Sequence, residues 1–528
     1  MRLQISYFFL FISINFSVFA QFGKGDAPIS KPKQKIEIMA DSTQIIMAND
    51  RSYRELFGHV VLKNKDATMY CNYAKQDVML NTIDAYGKIR IIQGDTVSVT
   101  GDTLFYDANS RFAKVSGNTV VKDRKVTLTT HKIEYEMRKG AIFYPEFGKI
   151  IDAENLLTSN SGRYSTKTKL FNFKEKVVIK APKYDLTTDS MDYDSKDKVA
   201  IFKAFTAIQS ESGLVFAAGG TYKTETRESN FKGRSWFDTK DYLIAGDTLD
   251  FNGKSESGIA KGNVELTSKK NTERDKIIIT GQVGIRDAER GITKVYGNPM
   301  LRNMKPNDTL YLRADTLVSI ENKKDSTDRK LIATRNVRIF KNDLQGLSDS
   351  LIYDLKDSVI HLFRKPILWN SDNQLEADSM TVTLVRNAAK QVFLKSKSFV
   401  IAADSVLNYN QIKGRKITVN FDSLAHLEKV FVDGNGESIY FALDEKKKII
   451  GMNRVECGRI TMKFKENEVK KIVFQGKPDS QLFPASQIST ERQRLEGFEL
   501  KTEMRPTKTQ IIEGKPRIAA KPIGKPLN

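Results

Sequence analysis

The sequence is poor in the residues that build disulfide scaffolds and zinc sites. It has only two cysteines, Cys71 and Cys457, which lie 386 residues apart. This spacing excludes a disulfide framework, so we expect two buried thiols, with a single long-range bridge as the alternative. The four histidines are isolated from one another: His59, His131, His361 and His426. No two of them have the spacing of a helical zinc site, and we predict no metal ligands.

The sequence also lacks the short motifs of common enzymes. It contains neither a Gly-x-Ser-x-Gly elbow nor a glycine-rich phosphate-binding loop. We therefore predict no catalytic residues, no cofactor and no enzymatic activity. A glycan-acting β-helix enzyme stays open as an alternative, because two acids of such an enzyme could be hidden in a repetitive array.

Long apolar runs are confined to the N-terminus. Residues 1–20 combine Arg2, an apolar stretch over residues 8–18 and a small-residue site at Ala20, before Gln21. This pattern predicts a cleaved signal peptide, with an uncleaved anchor as the alternative. We therefore expect the mature chain to be exported.

Acidic residues are too few to balance the basic ones. Lys and Arg number 85 against 64 Asp and Glu, a net charge of +21, and loss of Arg2 with the signal would leave +20. Such a chain attracts anionic partners. Export argues against nucleic acid and favours acidic membrane surfaces or anionic glycolipids; the alternative is an unspecific basic surface.

What the sequence does contain is a repeat. The phrase Gly246-Asp247-Thr248-Leu249 returns around Asp315 and Asp349, at distances of 68 and 34 residues, with a degenerate copy at 281–285. A second phrase, headed by Gly-Asn at 117–118 and 262–263, falls between the copies and predicts turns. Apolar residues alternate in both phrases. The sequence thus predicts an all-β, elongated roll of stacked antiparallel strands from about 45 to 475.

The aspartates at the start of the first phrase could be interpreted as calcium ligands. They are Asp102, Asp189, Asp247, Asp315, Asp349, Asp378 and Asp404. The spacing lacks the glycine-rich nonapeptide of calcium-binding β-rolls. We expect these carboxylates to bond local backbone N–H groups and to fix corners between strands.

The two phrases together resemble the OstA-like (LptA) family. The resemblance rests on residues 102–107, 113–121 and 126–130, and it returns over 247–266. It implies a periplasmic protein, either free or associated with the outer membrane. It also implies an open, V-shaped β-jellyroll whose inner groove shields the acyl chains of lipopolysaccharide on the way to the outer membrane. It covers most of 40–475, as three OstA-like segments at 36–165, 166–295 and 296–475.

The inner faces of the two sheets are predicted to line that groove. The lining residues would be Leu104, Tyr106, Met191, Tyr193, Leu249, Phe251, Leu351 and Tyr353. The alternative is a closed core at these positions, which would suit a structural or adhesive β-solenoid without a lipid ligand.

Both ends of the array carry further predictions. Unpaired strand edges template pairing with another chain, so the strand near 35–47 or the one near 469–475 is expected to join other jellyroll transport proteins. Residues 476–528 form a basic, proline-containing tail that we expect to be extended and flexible. Its attraction to an anionic surface and a merely solubilising role are both open.

Overall fold

The computed structural model describes residues 35–48, 51–153, 155–240, 242–269, 276–304, 308–325, 327–385, 388–404, 408–422, 426–465 and 468–514. The predicted signal peptide, residues 1–20, lies outside this part of the chain, as do residues 515–528 of the predicted tail.

The described residues form thirty-eight strands in one continuous antiparallel sheet. The first strands are β1 Glu37–Met39, β2 Ser42–Ala48, β3 Arg51–Asn64, β4 Ala67–Asp77, β5 Thr82–Gln93, β6 Val97–Asp107, β7 Phe112–Asp123, β8 Val126–Glu136, β9 Ala141–Tyr144, β10 Gly148–Asp152, β11 Asn155–Ser159, β12 Ser161–Ser165, β13 Leu170–Ala181, β14 Tyr184–Asp194, β15 Val199–Phe202, β16 Thr206–Ser210, β17 Gly213–Ala217, β18 Gly219–Lys223 and β19 Glu228–Asp238. The remaining strands are β20 Tyr242–Asn252, β21 Ser257–Ser268, β22 Lys276–Asp287, β23 Ile292–Tyr296, β24 Met300–Met304, β25 Thr309–Arg313, β26 Thr316–Glu321, β27 Arg329–Lys341, β28 Leu344–Asp354, β29 Val359–Phe363, β30 Ile367–Asn370, β31 Asn373–Glu376, β32 Ser379–Val385, β33 Ala388–Ala403, β34 Tyr409–Phe421, β35 Leu427–Leu443, β36 Ile449–Lys465, β37 Glu468–Gln475 and β38 Asp479–Pro484.

Helical structure is confined to the C-terminal end of the described chain. It comprises two 3₁₀ turns, Ala485–Gln487 and Thr502–Met504, and one short α-helix, α1, Lys508–Glu513. No helix among the described residues has the length and apolar character needed to cross a bilayer. The all-β, elongated roll predicted from the repeat is confirmed.

Each long strand bends near its middle, so that its two halves belong to two different walls of the roll. In β13, residues 171–174 lie beside β12, and residues 178–180 lie beside β11. In other layers two half-strands take the place of one bent strand: β9 and β10, for example, pair with the two halves of β8. The bends stack into a corner along one side. The hairpin turns form two margins: a first margin with turns such as 108–111 and 355–358, and a second margin with turns such as 65–66 and 342–343.

The Gly-Asn phrase makes these bends. Gly117 and Asn118 have φ values of +78° and +43°, and the pairing of β7 with β8 shifts register between Ser116 and Thr119. A pair of left-handed residues in a strand interior is a β-bulge, which bends the strand. The phrase was expected to mark a turn; it marks a bend within one strand, because pairing resumes on both sides of it.

The recurring aspartates hold the same bends from the neighbouring strand. The Asp102 carboxylate accepts a hydrogen bond from Asn118 Nδ2 at 3.0 Å, and Asp247 accepts one from Asn263 Nδ2 at 2.7 Å. Asp315 is bonded in the same way by Asn336. The predicted corner role is confirmed at these three positions, but the partner is a side-chain amide one strand away rather than a local backbone N–H group.

Two apolar clusters fill the space between the walls. The first extends from Leu56 to Val264, and the second from Leu301 to Met462. Cys71 and Cys457 are separate, buried thiols, one in each cluster. Burial raises the pKa of the Cys71 thiol to about 11. The prediction of two buried thiols is confirmed, while the three-segment division remains a prediction; the strand Ile292–Tyr296 spans its boundary at 295/296.

Residues 485–514 form a C-terminal strap on the outer face of the second half. The Gln411 amide donates to the Gln493 carbonyl at 2.7 Å and accepts from Leu495 N at 2.8 Å. Gln374 makes the same double contact with the backbone at 499 and 501. Buried amide side chains therefore act as extra backbone partners for the strap.

The end of the strap is fixed by Arg313, which is 5% exposed. Its Nε donates to the Ile511 carbonyl at 2.7 Å, and its Nη2 donates to the Ile512 carbonyl at 3.1 Å. These carbonyls close the C-terminal turn of α1, where cations are favoured. The expectation of a flexible tail from residue 476 is thus corrected as far as Gly514: this part is largely irregular, but it is bound to the sheet.

The bend at Gly117 provides a test of this architecture. A Cβ at Gly117 would lie 2.4 Å from Asp102 Oδ2, whereas a Cβ at Gly94, which also has positive φ, meets no atom within 4 Å. Both Gly117→Ala and Gly94→Ala carry the left-handed strain of about 1–2 kcal/mol. We expect Gly117→Ala to cost at least about 1 kcal/mol more, because it also displaces the carboxylate that fixes the corner. Equal urea-unfolding midpoints for the two variants would contradict this account.

Candidate functional site

A row of polar side chains joins the two margins across the mouth of the first half. Tyr106, Tyr135, Tyr164 and Tyr193 follow one another in steps of 29 residues along the inner face. Each hydroxyl meets a polar side chain that ends a strand at the second margin. Asn64 Nδ2 donates to Tyr106 at 2.9 Å, and the Tyr193 hydroxyl donates to Asp152 at 2.9 Å.

Cations from the first margin complete this row. Lys198 Nζ lies 2.6 Å from Asp152, whose side chain is 2% exposed, and Lys169 Nζ lies 2.5 Å from Asp123. Arg111 pairs with Asp66 in the same way. We call these bridges the closing row. Each bridge joins a residue of the first margin to a residue of the second margin about 45 positions away in sequence. The two walls therefore cannot separate here without exposing buried charges.

Burial of the closing row is reflected in the ionisation of its tyrosines. Loss of solvation raises the pKa of Tyr106 and of Tyr135 to about 12. Desolvation also raises the pKa of Tyr193, and the Asp152 carboxylate adds to the effect. The hydroxyls therefore stay protonated and able to donate throughout the physiological range.

The closing row ends at Ala181. This residue ends β13 in the place where Asp123 ends β7 and Asp152 ends β10. It offers no polar group, and the buried hydroxyl of Tyr184 has no hydrogen-bond partner. The next tyrosine in the 29-residue series, Tyr222, packs edge-on against Tyr184 with ring centroids 5.1 Å apart. One step further the series has Phe251, which carries no hydroxyl.

Beyond this point the walls separate and enclose an elongated cavity of about 830 Å³. Its lining comes from residues between Ser212 and Phe421, so it joins the two apolar clusters. Leu186 and Met191, on the inner face of the closed half, are both fully buried, whereas Ile244 and Ile279 on the cavity wall are only partly buried. Strands with the same alternating pattern therefore form touching walls in one half and separated walls in the other.

The cavity reaches the protein surface at both margins. Glu256 and Leu355, at turns of the first margin, line it and are exposed, as is Asp343 at the second margin. Most of the other lining side chains are aliphatic, including Leu331, Ile339 and Leu362. An apolar space of this size falls within the range of small-molecule sites, about 300–1,000 Å³.

A small polar cluster interrupts the apolar lining. The Tyr242 hydroxyl donates to Glu321 Oε1 at 2.7 Å, and Arg286 Nη2 donates to Glu321 Oε2 at 3.2 Å. Arg329 lies opposite Glu321 in the pairing of β26 with β27 and also lines the cavity. Among the described residues, no three His, Cys, Asp or Glu side chains are grouped as around a metal ion.

The structure separates the eight predicted groove residues into two sets. Leu249, Phe251, Leu351 and Tyr353 line the cavity. The other four residues lie in the packed core of the closed half: Leu104, Tyr106, Met191 and Tyr193. The alternation of apolar residues indicated the inner face correctly in both halves, but it did not indicate where the walls touch.

Sequence reasoning missed the polar cluster and the closing row. The signal for the row was the 29-residue spacing of the tyrosines. The signal for the cluster was the degenerate copy of the phrase that begins at Gly281. Arg286 follows Gly281 by the same number of residues as Tyr106 follows Gly101, so the two side chains occupy equivalent positions of the repeat. An arginine in an inward-facing position of an otherwise regular repeat indicates a specialised site.

Two stretches of the chain match known protein families. Residues 33–189 match the family of OstA-like proteins. Residues 307–388, which contribute to the cavity, match the family described as LptA/(LptD N-terminal domain) LPS transport protein, where LPS is lipopolysaccharide. A comparison with curated proteins finds no match.

The closing row predicts an unequal response to removal of two lysines. Lys198→Met leaves Asp152 buried without its cation, and we expect a loss of about 3 kcal/mol of unfolding free energy. Lys139→Met breaks the exposed pair with Glu136, whose side chains are 71% and 45% accessible, and should cost less than about 0.5 kcal/mol. Urea unfolding measures both. Similar losses in the two variants would show that the row does not hold the walls together.

Proposed function

We propose that this chain, in which one stretch matches the OstA-like family and another matches the LptA/(LptD N-terminal domain) LPS transport family, is a non-catalytic periplasmic carrier. In this proposal its cavity shields the acyl chains of lipopolysaccharide during transport to, or assembly in, the outer membrane. The observation that supports it most directly is the apolar cavity of about 830 Å³ between walls that are closed elsewhere.

The physics of the cavity suits an acyl chain. Burying one methylene group contributes about 0.8 kcal/mol, so a chain of ten or more carbons can be held without any polar contact. The partly exposed aliphatic residues of the lining, such as Ile244, Ile279 and Leu331, are the surface that a chain would cover. The exposed openings at the margins let the polar part of the lipid remain in water.

The closed half would serve a different purpose. Its core contains fully buried aromatic side chains, such as Phe171, and the closing row restrains its mouth. We propose that this half is a rigid extension that carries the cavity at a fixed distance from a docking partner, with acyl chains confined to the second half. In this proposal the closed half has a structural role, which is the second candidate function, and only the other half binds lipid.

Docking is proposed at the terminal strands. In the described part of the chain β2 pairs only with β3, and its side chains Ile45 and Met47 are 61% and 83% exposed. At the other end, β37 pairs only with β36. A free edge with apolar side chains can add a strand from another jellyroll by main-chain pairing. The predicted edges at 35–47 and 469–475 lie at these two ends.

Lipid binding is tested with a photo-crosslinking side chain at neighbouring positions. Benzoylphenylalanine replaces Leu331, which faces the cavity, or Lys330, which is exposed on the other face of the same strand. After irradiation in cells that contain lipopolysaccharide, we expect a lipopolysaccharide adduct at 331 and none at 330. The cavity has room for the larger ring, so both variants should fold.

Other outcomes of that experiment are equally informative. Adducts at neither position, in an exported and folded protein, would contradict the carrier proposal and favour a solenoid without a lipid. Adducts at both positions would indicate contact with a membrane surface rather than an enclosed chain.

Docking is tested by placing positive charges on the exposed edge strand β2. Ile45→Lys with Met47→Lys should reduce in-cell cross-linking to a second OstA-like protein at least severalfold, because unpaired lysines on an edge strand oppose strand addition. Leu482→Lys, on β38 at the opposite end and 74% exposed in the wild type, is the matched control. If the cross-link persists in the first variant and disappears in the second, docking occurs through the C-terminal end. Persistence in both would refute edge pairing.

A further inference from the structure

The polar cluster of the cavity has an unusual charge balance. Arg286 and Arg329 contribute two positive charges, and Glu321 contributes one negative charge. Glu321 is already bonded by Tyr242 and Arg286. Among the described residues, no carboxylate lies within salt-bridge distance of Arg329, and its buried Nε has no hydrogen-bond partner. A guanidinium N–H that is buried without an acceptor is costly, and two arginines against one glutamate leave the cluster with one uncompensated positive charge.

The two arginines share one environment. Burial raises the pKa of Tyr242 to about 12, the Glu321 carboxylate adds to this effect, and the charges of Arg329 and Arg286 oppose it. The geometry agrees, because Tyr242 and Arg286 share the Glu321 carboxylate and Arg329 lies opposite Glu321 on the neighbouring strand. By contrast, Lys341, another cation of the lining, is neutralised by Asp343 at 2.8 Å and by Asp308 at 3.5 Å.

The cluster also lies across the mouth. Tyr242 begins β20 at the second margin, and Glu321 ends β26 at the first margin, 79 residues away in sequence. Their hydrogen bond is therefore a bridge between the margins in the open half. An anion that binds Arg286 competes with Glu321 for the same N–H donors, and so it weakens the support of this bridge.

We propose that Arg286 and Arg329 form a recognition site for the phosphate monoester of an amphiphile whose acyl chain occupies the apolar part of the cavity. This inference rests on the proposed carrier function and specifies the chemistry of its ligand. Two guanidinium groups suit a phosphate because each can donate parallel N–H bonds to its oxygens. The phosphate supplies the missing acceptor for Arg329 and displaces Glu321 from Arg286.

The test compares ligands of equal chain length. The full chain is titrated calorimetrically with dodecyl phosphate, with dodecyl maltoside and with inorganic phosphate, all below the micelle concentration. We expect wild type to bind dodecyl phosphate at least tenfold more tightly than either of the others. Arg329→Gln should remove most of the difference between the two amphiphiles. Glu321→Gln keeps an acceptor for Tyr242 but removes the competing charge, and it should tighten binding of dodecyl phosphate severalfold.

Lys330→Gln is the matched control, because it removes one positive charge from the outer face of the same strand. It should bind all three ligands as wild type does. Unchanged affinities in Arg329→Gln, or weaker phosphate binding in Glu321→Gln, would overturn the headgroup site while leaving acyl-chain binding intact. Equal affinity for inorganic phosphate and dodecyl phosphate would overturn the amphiphile as ligand. Failure of wild type to bind either amphiphile would refute the carrier function itself.

Discussion

The bend in the middle of each strand is the constraint on which the rest of the structure depends. A flat antiparallel sheet of this length would expose one apolar face along its whole extent. A pair of left-handed residues in alternate strands, with an aspartate from the neighbouring strand over several of the bends, folds that sheet along a line into two walls. The apolar side chains on the inner face of one wall then face the apolar side chains of the other wall, which is formed by the other halves of the same strands.

With the corner fixed, the distance between the walls is decided at the margins. Where tyrosine hydroxyls and lysines meet aspartates across the mouth, the walls close over a packed core. Where Ala181 and Phe251 replace the polar partners, the walls open over a cavity. Both halves have the same strand pattern, so a few side chains at strand ends separate a supporting half from a binding half.

This division explains what the sequence could and could not predict. Alternation and repeat length report which side of a strand faces inward, and they predicted the roll, the corners and the inner position of residues such as Leu249 and Met191. They do not report how far away the facing wall lies, because that depends on contacts between residues 40 or more positions apart. The strap was missed for a related reason: Gln374 and Gln411 look like surface residues until a backbone is placed against them.

The strap changes how the second half can come apart. In a layered array each strand touches only its neighbours, so such proteins can fray from their ends one layer at a time. Arg313 is joined to residues 198 and 199 positions later, and the strap passes over the strands between β25 and β36. The layers beneath it are thereby coupled into one cooperative block. That block is complete only when the strap has docked, so its layers unfold together rather than one at a time.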